Sequence, residues 1–270
     1  MKVVVTGAAG RMGSLISRLV WESEDMELAG VIEREDHPLL GRDMGYIWGT
    51  EKAGIVLESD FLNRIENADL YIDFTSPESS LKFLTLAAMK GKAAVIGTTG
   101  FTEQDREFIR EQAQKIPVVL APNMSLGINL LFYLTKKVSE VLFNRDFDIE
   151  IIERHHRHKL DAPSGTALKI GEIISEVIGK PLEEIMKWGR YGRSTTERSK
   201  DEVGIFALRG GEVVGEHTLF FSGPAEEVVI THRAFSRKAF AIGALQAARW
   251  VAGRDKGLYD MQDVLGLRGE

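Results

Sequence analysis

Three of the chain's six histidines lie in one short basic segment that could bind and protonate an anion. The cationic or titratable side chains of this segment are Arg154, His155, His156, Arg157, His158 and Lys159. Such a concentration of positive charge suits an anionic substrate. His155 or Lys159 could also donate a proton to a carbon or nitrogen atom that gains electron density after hydride addition.

The residues that follow this segment predict a helix whose N-terminus binds an anion. Ser164 comes directly after Pro163 and can cap a helix that starts near Gly165. This arrangement presents the backbone N–H groups of Gly165 and Thr166 to a carboxylate, because the helix dipole places partial positive charge at that end.

Three other interpretations of the segment stay open. His156 and His158 lie one strand period apart and could hold a metal ion, although nearby cations would repel it and the chain has no cysteine. The segment could instead be a solvated basic loop, although such loops seldom run straight into a helix start. Individual histidines could be structural, His158 among them, and this is the interpretation we favour for His217 and His232.

A glycine-rich turn near the N-terminus predicts a dinucleotide site. The residues from Gly7 to Gly13 follow an apolar strand at 3–5 and open a helical pattern. Glycine permits a tight turn and lets backbone N–H groups approach a pyrophosphate. The motif reads GxxGxxG and lacks the usual middle glycine, so a tight turn without a ligand is the alternative.

Two further features support a nicotinamide nucleotide. Glu33 stands twenty residues beyond Gly13, where an acid can accept both ribose hydroxyls of NAD, and Arg34 could meet the 2′-phosphate of NADP. The pair predicts a site for NADH or NADPH, unless both are ordinary exposed charges. The turn from Gly97 to Gly100 lies at the carboxyl edge of a predicted strand, where open α/β sheets bind ligands, or is a plain turn.

Alternating strands and helices must position these turns. Strand-like runs occur at 3–5, 28–32, 70–74, 93–96 and 118–121, and residues 36–54 read as a loop. Ser76 and Thr102 are suited to cap the helices between the later strands. Near-continuous apolar strands in this order predict a parallel sheet covered on both faces.

The pattern changes after residue 124. A helix is predicted at 126–142, a strand at 149–153, a helix at 164–177, strands at 205–208, 213–221 and 227–233, and a helix with a small-residue face at 240–251. The Gly210-Gly211 pair predicts a hairpin between the first two of the last three strands. We therefore predict an α/β fold, with residues 1–124 completed by 236–270, and a second α+β domain over 125–235 on a mostly antiparallel or mixed sheet.

Composition excludes several classes of protein. A net charge of −6 argues against a nucleic-acid partner or an acidic membrane partner. The lack of cysteine excludes thiol nucleophiles, and with them a semialdehyde dehydrogenase mechanism. The uncharged stretch 116–135 is interrupted by Pro117, Pro122 and Asn123, so we expect no membrane span. The short N-terminal apolar run cannot form a signal-peptide core, and a cytoplasmic location is expected.

Together these motifs resemble the dihydrodipicolinate reductase family over nearly the whole chain. The most specific part is the His-His-x-x-Lys-x-Asp-Ala-Pro-Ser-Gly-Thr signature from His155 to Thr166. It is accompanied by the two glycine turns, by Ala121-Pro122-Asn123 and by Gly215-Glu216-His217-Thr218.

The resemblance implies an enzyme of lysine and diaminopimelate biosynthesis. Such an enzyme reduces 4-hydroxy-tetrahydrodipicolinate, via dihydrodipicolinate, to tetrahydrodipicolinate with NADH or NADPH. The family implies a Rossmann-type first domain, and a middle domain that binds the small dicarboxylate substrate and packs into a homotetramer. A redox sensor that binds dinucleotide without chemistry is a rival, but it would not need the segment from His155 to Thr166.

The resemblance also assigns roles to individual residues. His155 and Lys159 are the candidate proton donors, and no metal is expected. The substrate residues are His156, Gly165 and Thr166. The cofactor residues are Gly7, Ala8, Ala9, Gly10, Arg11, Met12, Glu33, Arg34, Gly97, Thr98, Thr99, Ala121, Pro122, Asn123 and Met124. Met124 stands where many relatives have Phe, and Ala207 where many have His, which puts packing near the nicotinamide and one substrate contact in doubt.

Overall fold

The computed structural model describes residues 1–268, which form two compact units. One unit comprises Met1–Leu126 and the described part of Lys238–Glu270, and the other comprises Gly127–Arg237. The sequence predicted the boundaries between the two units at 124/125 and 235/236. The last two residues of the predicted segment 236–270 lie outside the described residues. No helix within residues 1–268 is both long and apolar enough to cross a membrane.

The described residues form twelve strands and ten α-helices. The strands are β1 (Lys2–Thr6), β2 (Glu27–Ile32), β3 (Leu57–Glu58), β4 (Leu70–Asp73), β5 (Ala93–Ile96), β6 (Pro117–Leu120), β7 (Asp148–His155), β8 (Met186–Trp188), β9 (Val203–Arg209), β10 (Gly215–Ser222), β11 (Glu227–Ala234) and β12 (Gly257–Tyr259). The helices are α1 (Arg11–Trp21), α2 (Met44–Trp48), α3 (Phe61–Glu66), α4 (Pro77–Met89), α5 (Glu103–Ala113), α6 (Leu126–Leu142), α7 (Gly165–Ile178), α8 (Leu182–Ile185), α9 (Lys238–Val251) and α10 (Met261–Val264).

The first unit is built on a seven-stranded parallel sheet in the order β12-β6-β5-β4-β1-β2-β3. All residues of β4 and β5 are buried, as expected for strands covered on both faces. The strand order reverses direction at β1, and the glycine-rich turn follows this strand. Open α/β sheets bind ligands at such a switch point. The Rossmann-type prediction is therefore confirmed.

The C-terminal helix α9 completes the first unit. Its small residues Ala241, Ala244, Ala247 and Ala248 are fully buried, and the helix packs against α1 and against β4, β5 and β6. A Cβ atom at Gly243 would lie 1.7 Å from the carbonyl oxygen of Met124, so only glycine permits this close approach. The small-residue face predicted for this helix therefore packs against the first sheet.

The second unit contains a mixed five-stranded sheet in the order β11-β10-β7-β9-β8. β10 pairs antiparallel with β7 and β11, whereas β9 pairs parallel with β7 and β8. Residues of α6 and α7, including Leu131 and Ile170, join Ile151 and Leu219 in the core on one face. The predicted antiparallel or mixed sheet is confirmed.

The predicted hairpin at Gly210-Gly211 is wrong. β7 lies between β9 and β10, so these two strands do not pair. The Gly210 N–H donates to the His155 carbonyl at 3.0 Å, and the Arg157 N–H donates to the Gly211 carbonyl at 3.2 Å. The glycine pair therefore carries the chain past the end of β7, because long-range strand pairing overrides the local turn signal.

The loop predicted at 36–54 contains α2. Asp43 caps this short helix by accepting the Gly45 N–H at 2.9 Å, and it also accepts the N–H groups of Ala53 and Gly54. One buried carboxylate thus folds the segment back on itself. A helix of five residues is too short to show a periodic apolar pattern, which explains why the sequence did not predict it.

Candidate active site

The three glycines of the first turn each have a steric reason. Gly7 adopts a φ of 62°, and a Cβ there would lie 2.7 Å from the Thr75 side chain. A Cβ at Gly13 would lie 2.1 Å from the Gly7 carbonyl oxygen. Gly10 is the N-cap of α1 and, within residues 1–268, no side chain caps this helix end. The N–H groups of Ala8 and Gly10 donate to backbone carbonyls, so the uncapped start of α1 at Arg11 and Met12 is the part of the turn that fits a pyrophosphate.

The turn forms one wall of a cleft with a volume of about 790 Å³. Gly7, Ala9, Gly10, Glu33 and Arg34 are the predicted cofactor residues that line it. The sequence did not predict the other wall, which Phe74, Thr75, Ser76, Ser79, Lys82 and Phe83 provide. The helical spacing of 76, 79 and 83 places these residues on one face of α4. Only the strand order, with β4 beside β1, could show that this face lies opposite the turn.

Glu33 connects the glycine turn to the second strand. One of its carboxylate oxygens accepts the Ala9 N–H at 3.1 Å, and the other accepts the Arg34 N–H at 3.2 Å. Arg34 is exposed and lies 3.2 Å from Asp36. The guanidinium of Arg34 thus lies on the cleft wall. A phosphate bound there would replace Asp36 as the ionic partner of Arg34.

The turn from Gly97 to Thr99 is anchored by a buried carboxylate. Thr98 donates to Asp73 at 3.0 Å and accepts the Thr75 N–H at 3.0 Å. A Cβ at Gly97 would lie 2.3 Å from the Phe74 ring. Thr98 is therefore part of the sheet edge, and within residues 1–268 the turn lies outside the cleft lining.

The segment from Ala121 to Met124 divides between core and surface. Ala121 and Met124 are buried in the core of the first unit, while Pro122 is exposed. The Asn123 side chain accepts the Ser125 N–H at 2.9 Å and shapes the turn. Ala8 is also fully buried, so Ala8, Ala121 and Met124 can meet a ligand only through their backbone or through packing.

The basic segment of the second unit does not form one cationic cluster. His155 ends β7 and is buried, His156 is half-buried, and His158 is exposed, with its ring 3.7 Å from Glu212. Lys159 forms an ion pair with Asp161 at 2.9 Å. Successive side chains of β7 point to opposite faces of the sheet, and the chain turns after the strand. These side chains therefore point in different directions.

A buried carboxylate holds this segment together, and the sequence analysis did not assign it a role. Glu153 is fully buried, and one of its oxygens lies 2.5 Å from Nδ1 of His155. Arg209 donates to both carboxylate oxygens at 2.8 and 2.7 Å, and the Ser164 N–H donates at 3.0 Å. Burial by itself would raise the pKa of Glu153, but the hydrogen bonds from His155 and Arg209 lower this pKa to about 2.

The predicted Ser164 cap is confirmed. Its Oγ accepts the Ala167 N–H at 3.2 Å, at the start of α7. Gly165 is exposed, and a Cβ there would meet nothing within 4 Å. The N-terminus of α7 therefore faces open space that an anion can enter.

His217 is a buried histidine beside this site. Its Nε2 lies 3.1 Å from the Ser164 hydroxyl, and its ring centroid lies 5.3 Å from that of His155. Burial, assisted by the nearby His155, lowers the pKa of His217 to about 3. His217 is therefore a neutral ring at physiological pH, as the structural interpretation of this residue requires.

The rings of His156 and His158 are not arranged as a metal site would require. The rings of His156 and His158 are 6.0 Å apart between centroids, and within residues 1–268 no group of three or more His, Asp or Glu side chains could hold an ion.

Comparisons with known proteins identify relatives of both units. The family model described as dihydrodipicolinate reductase, N-terminus, matches residues 1–124, and that described as dihydrodipicolinate reductase, C-terminus, matches residues 127–265. The 4-hydroxy-tetrahydrodipicolinate reductase of Syntrophus aciditrophicus (strain SB) is 49% identical over 99% of both chains. That of Geotalea daltonii is 47% identical over 99% of this chain and 100% of the relative.

Solved structures extend the comparison. A dipicolinate-bound dihydrodipicolinate reductase from Paenisporosarcina sp. TG-14 has a TM-score of 0.78 and 26% identity, with 97% of this chain and 98% of that chain covered. An amine dehydrogenase from Mycobacterium smegmatis, with a TM-score of 0.58 and 12% identity over 96% and 94% of the chains, shares the fold alone.

We expect acid to destabilise the protein through His217. Because the folded-state pKa of about 3 lies below the unfolded value of 6.5, the unfolded chain takes up a proton first as the pH falls. The stability contribution of the neutral ring is complete above pH 6.5 and is lost progressively between pH 6.5 and about 3. The loss should be about 3 kcal/mol at pH 4. Urea unfolding of the wild type and of His217→Asn at pH 8 and pH 4 measures it.

The His217→Asn variant has no ring to protonate, so its free energy of unfolding should decrease less between the two pH values. Equal decreases in both proteins would exclude His217 as a source of acid sensitivity.

Proposed function

The chain belongs to the dihydrodipicolinate reductase family, and we propose that it acts as a cytoplasmic homotetramer whose first unit binds NADH or NADPH and whose second unit binds the substrate. It is a pyridine-nucleotide-dependent reductase that converts 4-hydroxy-tetrahydrodipicolinate, via dihydrodipicolinate, to tetrahydrodipicolinate in lysine and diaminopimelate biosynthesis. One observation supports the proposed substrate site in the second unit. Glu153 binds both the His155 ring and the backbone at the start of α7.

The first unit provides a site for the dinucleotide. When bound, the nicotinamide ring supplies a hydride. The turn from Gly7 to Met12 would surround the pyrophosphate, with the N–H groups of Arg11 and Met12 at the start of α1 donating to it, and Glu33 would accept the ribose hydroxyls. Arg34 offers a charge to a 2′-phosphate. We assign Gly97, Thr98, Thr99, Ala121, Pro122, Asn123 and Met124 to the rest of the cofactor site, with the buried members acting through their backbone or their packing.

The second unit provides the groups for a dicarboxylate. The N–H groups of Gly165 and Thr166 at the start of α7 bind one carboxylate, and His156 and Lys159 contribute the remaining polar contacts. Lys159 must then share its charge between Asp161 and the substrate. The dipicolinate held by the similar Paenisporosarcina enzyme is itself a dicarboxylate, which supports this assignment.

Proton transfer completes the reduction. His155 or Lys159 donates a proton to the substrate atom that has gained electron density, and the paired electrons of that atom form the new bond to hydrogen.

The first test separates these two donors. His155→Ala should lower kcat by about 10² to 10⁴ with a smaller change in KM, the range expected for loss of a general acid. Lys159→Ala should lower kcat and raise KM together, because it removes a charge that also binds the substrate. Steady-state NADH oxidation with the substrate measures both effects.

The exposed His158 provides the matched control, and His158→Ala should retain wild-type kcat. NADH affinity measured without substrate should be unchanged in all three variants. A wild-type kcat in His155→Ala would assign the proton to Lys159 or water, and a wild type that oxidised neither NADH nor NADPH in the presence of the substrate would refute the function.

The second test concerns cofactor choice. Arg34→Ala should weaken NADPH binding more than NADH binding, by about 1 to 3 kcal/mol, because a charge-assisted hydrogen bond to the 2′-phosphate is lost. Dissociation constants from fluorescence titration measure the difference. Arg42→Ala, at an exposed arginine outside the cleft, is the control and should affect neither cofactor. Equal weakening of both cofactors by Arg34→Ala would remove Arg34 from the phosphate site.

The outer face of the second sheet supports the tetramer. Ile152, Phe206 and Phe220 are half-buried on this face, and Val229, which pairs with Phe220, is 47% exposed. Apolar side chains on an open sheet face, here beside the ion pairs of Glu150 with Arg190 and Arg198, are typical of a subunit interface.

Light scattering at micromolar concentration should therefore give four times the 30.0 kDa mass of one chain. Phe220→Asp should lower this mass, because it buries a charge in the interface. A stable wild-type monomer would contradict the proposal.

A further inference from the structure

Glu153 holds the ring of the candidate proton donor in a fixed orientation. Residues 153 and 155 are two apart on β7, so their side chains lie on the same face of the strand. We propose that Glu153 is the positioning residue for proton transfer: it keeps a hydrogen on Nδ1 of His155 and thereby makes Nε2 the atom that donates to the substrate. This inference rests on the proposed role of His155 as a proton donor.

The partners of Glu153 determine where the hydrogen lies. The carboxylate accepts two hydrogen bonds from Arg209 and one from the Ser164 N–H. It is therefore ionised at neutral pH and can only accept hydrogen bonds. Because its oxygen lies 2.5 Å from Nδ1, the hydrogen between the two groups must be carried by the imidazole. Nε2 is the remaining ring nitrogen.

Arg209 lets His155 change its charge without leaving Glu153 unpaired. The guanidinium also donates to the Leu208 carbonyl at 2.8 Å and to the Asp161 carbonyl at 2.5 Å, which fixes its position. The negative charge of Glu153 is thus balanced by Arg209 whether or not His155 is protonated. The other titratable ring against His155 is that of His217, which is neutral at physiological pH.

The proton balance follows from this arrangement. Protonated His155 gives its Nε2 proton to the substrate atom, and the neutral ring retains the Nδ1 hydrogen that it donates to Glu153. Solvent then returns a proton to Nε2. Gly215 of β10 keeps a side chain away from this nitrogen, since a Cβ there would lie 3.1 Å from Nε2.

A purely structural role for Glu153 makes a different prediction. If Glu153 only joined β7 to β9 and α7, its replacement would lower the free energy of unfolding. The kcat of the folded variant would then stay at the wild-type value. A control for this is available on the same strand. Glu150 accepts two hydrogen bonds from Arg190 and one from Arg198, on the opposite face of β7.

The experiment compares Glu153→Gln with Glu150→Gln. In Glu153→Gln, kcat should fall about 10- to 10³-fold while KM changes less than about threefold, because the amide no longer enforces one tautomer. Affinity for NADH without substrate should be unchanged. Glu150 lies beside Phe220 on the outer sheet face, so Glu150→Gln should retain wild-type kcat and KM as long as light scattering gives the wild-type mass.

Proton NMR gives a readout that does not depend on activity. A hydrogen shared between an imidazole and a carboxylate resonates far downfield. The wild type and Glu150→Gln should show this resonance, whereas Glu153→Gln and His155→Ala should lack it. Its absence from the wild type would overturn the inference, as would wild-type kcat in Glu153→Gln.

Glu153→Asp covers the case in which the amide variant does not fold. Aspartate retains the charge that balances Arg209 but is one methylene shorter, so it withdraws the acceptor from Nδ1. The folded aspartate variant should lose the resonance and show a reduced kcat, and wild-type values of both would overturn the inference. If the wild type showed the resonance but reduced no substrate, the reductase function would be refuted and the Glu153–His155 geometry retained.

Discussion

A single buried carboxylate organises the candidate substrate site. Glu153 has no exposed surface and receives hydrogen bonds from β7, from β9 and from the start of α7 through His155, Arg209 and Ser164. An unpaired charge in this position would be costly, so the surrounding groups must converge on it. The position of the His155 ring and the start of α7 both follow from that requirement.

The Glu153–Arg209 pair fixes the positions of the groups around it but adds little to the net free energy of unfolding. Desolvation of both ions offsets much of their attraction, and a well-packed apolar pair could replace them at little cost. Loss of one partner would cost about 3 to 5 kcal/mol, because the other charge would remain buried. The pair also carries the hydrogen bond to His155, which an apolar replacement would remove.

The first unit also contains a buried carboxylate, and its hydrogen-bond donors are neutral hydroxyl groups. Asp73, at the end of β4, is fully buried and accepts hydrogen bonds from the hydroxyls of Thr6, Thr75 and Thr98. These bonds join β1, β4 and the turn after β5 at the edge where the candidate cofactor cleft opens. Hydroxyl donors satisfy the carboxylate without adding a cation. The positive charge at that edge is therefore left to the helix N-terminus and the side chains of the cleft wall.

Local signals in the sequence determined the parts of this protein that depend on neighbouring residues. Ser164 caps α7 by accepting the N–H group three residues ahead, and continuous apolar runs form buried strands, because both effects act within a few positions of the chain. The twelve consecutive residues from His155 to Thr166 indicated the candidate site through their resemblance to the family signature. Tertiary structure decided the rest. Arg209 reaches Glu153 across 56 positions, Lys82 joins the cleft through the order of the strands, and β7 separates the two strands predicted as a hairpin. Such pairings are set by long-range strand order, which no local pattern encodes.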